Sequence, residues 1–373
     1  MLRTALPLVL SGLLVIPACA NETPIQSEQA TYRVETLVEA LDQPWSLAFL
    51  PDGRMLITER SGGLRVVENG RLLSAPVKGT PEVAVKGQGG LLDVAIHPDF
   101  ETNGWIYLTY SAKGQGGMGT ELARGRLVDS DRLESVEVLY RAEPKSGGGR
   151  HFGSRLAFAP DGTLFMSLGE RGDKDRAQDL SDPAGSIIRL RDDGSSPPDN
   201  PFVGQAGVRP EIFSYGNRNP QGLAVHPATG ELWAHEHGPR GGDEVNIIRA
   251  GANYGWPVIT HGVAYSGFKI GEGTRKVGME QPVHFWDPSI APSGMVFYTG
   301  DAFPQWQGDL LVGALKFQLL VRLELEGETV VHEERMLEQD LGRIRDVRQG
   351  PDGNVYLLAG EGAGVLVRLS PRS

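Results

Sequence analysis

The chain has 373 residues, with 50 glycines, 25 prolines and a formal charge of −11 from 47 acidic and 36 basic side chains. That balance argues against nucleic acid as a partner, because phosphates require clustered lysine and arginine. High glycine and proline beside ordinary aromatic and charge content indicate turn-rich globular structure, not disorder.

Residues 1–19 read as a targeting segment, with Arg3 as the positive flank, an apolar stretch from Leu6 to Ile16, and small residues at Ala18 and Ala20 for cleavage. This predicts an exported, periplasmic protein. The segment is too short to span a bilayer, and nothing later is long and apolar enough to do so. Cys19, the single cysteine, follows an imperfect lipobox interrupted by Pro17. Lipid anchoring to the outer membrane at Cys19 and simple cleavage after Ala20 therefore stand as alternatives.

From there the chain repeats itself. A proline-containing turn precedes a β-rich run six times, with the prolines at 51, 98, 160, 227, 304 and 351. Proline presets φ, aspartate bonds its own backbone and glycine accepts positive φ, so Pro51-Asp52-Gly53 and its counterparts read as hairpin turns. Four strands with turns need roughly 40 to 50 residues. The intervals run from 47 to 77 residues, so the middle repeats carry inserted loops. The expected fold is all-β: a six-bladed β-propeller of four-stranded antiparallel blades, one domain over 31–371. The run Tyr32–Leu37 is expected to close the ring against the C-terminal blade.

Two motifs mislead. Gly114, Gly116 and Gly119 match G-x-G-x-x-G, but a strand-like run follows where a dinucleotide site needs a helix. His235 and His237 are spaced for one strand face, yet no third zinc ligand is placed with them, so a structural role is favoured. Four glycine-flanked polar segments carry more: 87–92 with Gln88, 148–153 with His151, 215–222 with Arg218 and Asn219, and 236–244, whose carbonyls and carboxylates suit calcium. A propeller brings such distant segments to one axis.

At these segments the sequence resembles the soluble pyrroloquinoline quinone (PQQ) dependent sugar dehydrogenases, nearest their aldose branch. The resemblance runs from Gln43-Pro44-Trp45 to Arg368. It is carried by Gly-Gln-Gly-Gly-Leu-Leu at 87–92, His-Phe-Gly at 151–153, Asn-Arg-Asn-Pro-Gln-Gly at 217–222 and Glu-His-Gly-Pro-Arg-Gly-Gly-Asp-Glu at 236–244. Asn-Tyr-Gly-Trp-Pro at 253–257, Gly-Ala-Leu-Lys at 313–316 and Arg-Ile-Arg-Asp-Val at 343–347 complete it.

The resemblance implies His151 as general base with Arg218 beside it. It implies a cofactor shell of Gln88, His151, Arg218, Asn219, Tyr265, Ala314, Leu315, Lys316, Arg343, Ile344 and Arg345. Calcium would be held by the carbonyls of Gly238 and Pro239, and a second calcium by Glu244 and Tyr254. The implied reaction is oxidation of aldoses at the anomeric carbon to lactones by hydride transfer to PQQ, across a broad substrate range, with an unidentified electron acceptor. His-Gly-Pro at 237–239 replaces the Gln-Gly-Pro of the glucose-specific branch, which speaks against strict glucose specificity. A calcium-dependent lactone or phosphotriester hydrolase and a non-catalytic binding propeller are the competing readings. Monomer is the default state.

Overall fold

A computed structural model describes residues 24–360 and 362–372. The targeting segment and Cys19 lie outside them. Six antiparallel sheets follow one another along the chain. Their first strands are Pro44–Phe49, Leu91–Ile96, Leu156–Phe158, Pro220–Val225, Pro292–Phe297 and Ile344–Gln349. Each touches the next and the sixth touches the first, so they line a closed central channel. This is the six-bladed propeller expected from the repeats.

Every predicted turn makes the hairpin from the first to the second strand of its blade. The second strands are Met55–Glu59, Trp105–Gly114, Leu164–Ser167, Leu232–Glu236, Leu310–Ala314 and Val355–Ala359. In Met55–Glu59, Leu310–Ala314 and Val355–Ala359 every residue is buried. A middle strand packs on a neighbouring blade through both faces, so Leu310–Ala314 and Val355–Ala359 are continuous apolar runs without polar alternation, and Met55–Glu59 is apolar as far as Ile57. Each fully buried Leu, Ile or Val contributes roughly 1.5–3 kcal/mol.

Closure follows the predicted route. Thr31–Asp42 pairs antiparallel with Ala363–Pro371, giving the sixth blade its outer strand from the other end of the chain. Tyr32 on that strand is fully buried against the rings of Phe303 and Trp306. Full closure leaves no inner strand with an unpaired edge facing another molecule.

The Gly114–Gly119 motif is also explained. It forms the hairpin between Trp105–Gly114 and Gly117–Val128. A Cβ on Gly114 or Gly119 would come within 2.7 or 3.0 Å of the Lys145 side chain. That buried lysine runs beneath the hairpin to Glu121 at 2.5 Å. The glycines make room for a lysine, not for a phosphate.

Candidate functional site

All six second strands run from one end of the channel, so all six first strands begin at the other, and the polar segments gather at that second end. Register irregularities occur there in five first strands, at Pro44/Ser46, Leu91/Val94, Pro220/Gly222, Pro292/Met295 and Ile344/Asp346. Such bulges re-aim successive side chains. They let Trp45, Gln221 and Arg345 face a cavity of about 260 Å³ that Arg60, Gln88, Leu92, Phe152, Gly153, His237, Ala291, Leu315 and Arg343 complete. A contiguous space of about 300 Å³ shares Trp45, Arg60, Leu315, Arg343 and Arg345. No Asp or Glu among the described residues lines either space.

The lining is cationic. Burial, then the charges of Arg155, Arg343 and Arg60, push Arg345 down to about 9. Like charges held together in a partly desolvated cavity are destabilising until an anion joins them. His237 is held neutral, pushed down to about 3 by burial, and its Nε2 lies 2.6 Å from the carbonyl of Pro292.

His151 sits beside the cavity on the loop that supplies Phe152 and Gly153. Its φ of +55° is unusual for a residue with a Cβ. Three contacts impose that conformation. The His151 N–H donates to Gln88 Oε1 at 2.6 Å, the Gly153 N–H donates to Asn219 Oδ1 at 3.1 Å, and Arg171 donates to the carbonyls of Gly148 and Arg150. On the ring, Nδ1 lies 2.9 Å from the Glu170 carboxylate without hydrogen-bond geometry, so the carboxylate favours a proton on Nδ1, with Nε2 as the base, through charge alone. Burial lowers the His151 pKa, Glu170 opposes that and Arg218 adds to it, with a net shift below the ordinary value.

Arg218 and Asn219 tie this loop to the next blade. Their N–H groups both donate to Glu236 Oε2, at 3.1 Å for Asn219. The Arg218 guanidinium donates to the carbonyls of His237 at 3.1 Å and Gly238 at 2.8 Å. Asp243 holds the same turn by accepting the Gly238 N–H at 2.8 Å.

The structure thus brings together Gln88, His151, Arg218, Asn219, Leu315, Arg343, Arg345 and Gly238. It places others differently. The side chains of Ala314 and Ile344 are packed into the blade cores, so they could serve the site only through their backbones. Lys316 is exposed with Nζ over Phe317, and Tyr265 is 74% exposed on a loop; neither lines the cavity. Sequence reasoning missed Glu170, Arg60 and Gln221 as site residues and used Trp45 only to mark where the resemblance begins. Glu170 lies between Gly169 and Gly172, the same glycine flanking that drew notice to the other loops.

For calcium, Glu244 and Glu236 are cross-strand partners, both buried. Burial raises both, and Glu236 is raised further by Glu244. Asn246 Nδ2 donates to Glu244 at 3.3 Å while its buried Oδ1 has no hydrogen-bond partner among the described residues. Buried oxygens lacking a counter-charge suit a hard cation. The Tyr254 hydroxyl is engaged by Arg249 and Ile247, which leaves only its backbone carbonyl for an ion. Among the described residues no group of three or more His, Cys, Asp or Glu side chains converges, so any calcium would depend on carbonyl and amide oxygens as well.

The family model described as glucose/sorbosone dehydrogenase matches residues 41–368. The chain is 48% identical over 364 residues to the aldose sugar dehydrogenase YliI of Escherichia coli, covering 96% of this chain and 98% of that one. The crystal structure of the soluble aldose sugar dehydrogenase from Escherichia coli in its apo form superposes with a TM-score of 0.89 at 50% identity, covering 92% and 100% of the two chains. The PQQ-bound aldose sugar dehydrogenase of Streptomyces coelicolor gives a TM-score of 0.73 at 29% identity, covering 91% and 99%.

Proposed function

The chain belongs to the glucose/sorbosone dehydrogenase family, and from that premise we propose that it is a quinoprotein that oxidises aldose sugars at the anomeric carbon to lactones. The observation that carries this reading is the conjunction of a cavity lined by Arg60, Arg343 and Arg345, with no carboxylate among the described residues of its lining, and a neutral histidine beside it. PQQ is a tricarboxylate, and arginine forks pair carboxylates in bidentate fashion. A calcium-centred hydrolase would call for acidic and amide side chains where these arginines stand.

In this reading Arg343 and Arg345 would hold the cofactor carboxylates, Gln88 and Asn219 would keep the His151 loop in place beside it, and Leu315 would supply an apolar wall. The bound quinone supplies the two-electron acceptor for the hydride, and calcium on the Gly238 and Pro239 carbonyls supplies Lewis-acid polarisation. His151 Nε2 takes the proton of the anomeric hydroxyl as the C1 hydride departs, and Glu170 stabilises the imidazolium that forms. Arg218 favours charge developing on oxygen nearby. Lys316 and Tyr265 stand outside the cavity and are given no part in this reading.

The test is direct. The mature protein is incubated with PQQ and calcium, PQQ binding is followed by fluorescence quenching, and dye reduction is measured with glucose, maltose and simple aldoses. Saturable binding with sugar-dependent reduction is expected. Absence of quinone binding, with lactone hydrolysis by the same sample, would replace the reading with the hydrolase.

Two further results are expected. Because the His151 pKa is lowered and its neutral form is the base, kcat/KM should hold as pH falls through the ordinary histidine range near 6.5 and decline only below it. Glu170→Gln removes an influence that favours imidazolium, so the acid limb should move to still lower pH while kcat drops. An acid limb unchanged in the variant counts against the pairing. For the metal, chelation should lower the melting midpoint by roughly 5 °C, from about 2.7 kcal/mol of linkage at a hundredfold excess of calcium over Kd. Glu244→Gln, measured without PQQ, should lose most of this calcium-dependent shift if the Glu236–Glu244 pair holds the structural ion.

A further inference from the structure

Counted back from the hairpin end, the six first strands place Ser46, Asp93, Arg155, Gly222, Gly294 and Asp346 at one level of the channel. Alternate residues of a strand share a face, so Arg348 projects into the channel from the level below. A charged layer results. Arg155 Nη1 lies 3.0 Å from Asp346 and 3.4 Å from Asp93, while Arg348 reaches Asp346 at 2.9 Å and Asp93 at 3.2 Å. Ser46 Oγ donates to Asp93 at 2.5 Å. Gly294 leaves the space this needs, since a Cβ there would lie 2.2 Å from Asp346 Oδ1. Beyond the layer, a separate cavity of about 520 Å³, whose lining includes Ala48, Ala95, Ala157 and Ala224, opens at the opposite end of the channel. The layer stands between that cavity and the site.

Arg155 is the member that reaches upward. It is 2% exposed, its Nε donates to the Gln221 carbonyl at 2.7 Å, its Nη2 donates to the Arg345 carbonyl at 3.1 Å, and its guanidinium lies 4.2 Å from the centre of the Trp45 ring. Gln221, Arg345 and Trp45 all line the site cavity. One guanidinium therefore braces wall residues from three blades while its charge is anchored by two carboxylates below.

We infer that Arg155 is a positioning residue for the cofactor site: through its contacts with Trp45, Gln221 and Arg345 it fixes the floor on which the cofactor rests, and with Asp93, Asp346 and Arg348 it closes the channel beneath. The inference rests on the quinoprotein reading above for its functional consequence. Two Arg against two Asp leave the layer neutral. Loss of Arg155 leaves it net negative directly beneath the site, which disfavours negative charge on the cofactor; where two-electron reduction takes up fewer than two protons, the bound cofactor's midpoint potential becomes more negative. Loss of the fork also frees the backbone at 221 and 345. Groups that orient metal ligands typically account for about 10- to 100-fold in metal affinity, and an effect of the same order is expected where the oriented groups hold a cofactor.

Wild type, Arg155→Met and Arg155→Lys are compared. Measurements are PQQ affinity by fluorescence quenching, midpoint potential of the loaded protein, melting midpoint, and hydrogen exchange of segments 219–222 and 343–346 without cofactor. The methionine variant should bind PQQ about tenfold or more weakly, shift to more negative potential and exchange faster in both segments. Lysine keeps the charge but not the planar fork, so its potential should return toward wild type while affinity recovers only in part. A lower melting midpoint with affinity, potential and exchange unchanged would overturn the inference. If the methionine variant does not fold, wild-type affinity and exchange in the lysine variant overturn it equally. A wild-type protein that binds no PQQ would refute the quinoprotein reading, and the cofactor-free exchange comparison would still decide the bracing role.

Discussion

Replacing His151 by alanine is expected to lower kcat by about 10²–10⁴, the usual range for a positioned general base, while PQQ binding stays within a few-fold of wild type. The separation follows from the geometry. The group that fixes the loop to its neighbour is the His151 backbone N–H on Gln88, which alanine retains. The ring is what alanine removes, and with it the base whose Nδ1 is held 2.9 Å from Glu170. Burial keeps that ring neutral at physiological pH, and the nearby positive charge of Arg218 acts in the same direction. Stability should change little or rise slightly, because alanine removes a buried polar ring without vacating a hydrophobic core position; it still inherits the φ of +55°. Stopped-flow reduction of the PQQ-loaded variant by sugar, beside a quenching titration, checks both halves. Equal loss of binding and turnover would make His151 a cofactor anchor and not a base.

Arg345→Met should have the opposite signature, with PQQ affinity reduced by a factor corresponding to about 2–5 kcal/mol, the cost of truncating one partner of a buried charge pair. Burial, with the positive potential of Arg155, Arg343 and Arg60 added to it, pushes the Arg345 pKa down to about 9. An anion in the cavity relieves this repulsion, so binding draws on interactions that the empty site holds at a cost. Removing Arg345 takes away a fork and also relaxes the cofactor-free protein. The variant should therefore melt no lower than wild type without PQQ, and gain much less on adding it. Isothermal titration and melting curves with and without PQQ measure this. Unchanged affinity would place the cofactor elsewhere on the propeller.

The sequence alone determined the repeat and what the repeat builds. Pro-Asp-Gly turns act locally, through φ restriction and side-chain to backbone bonds, and apolar runs such as Val355–Ala359 report burial on both faces. Both are short-range signals, so the six hairpins, the blade count and the closing strand at Thr31–Asp42 could be read directly. Glycine-flanked polar loops likewise located Gln88, His151, Arg218 and Asn219. Tertiary structure decided which side chains meet. Glu170 reaches His151 from 19 residues away because Gly169, with no Cβ to strike the His151 carbonyl, lets the two loops pass in contact, and neither segment alone encodes that meeting. Ala314 and Ile344, adjacent in sequence to genuine cavity residues, point into blade cores because neighbouring strand residues alternate faces except where a bulge intervenes. The Asp93–Arg155–Asp346–Arg348 layer joins residues separated by as many as 255 positions. Each of its charges, read singly, looks like any surface Asp or Arg, and only the closing of the ring places them on one axis, out of water, where they must pair.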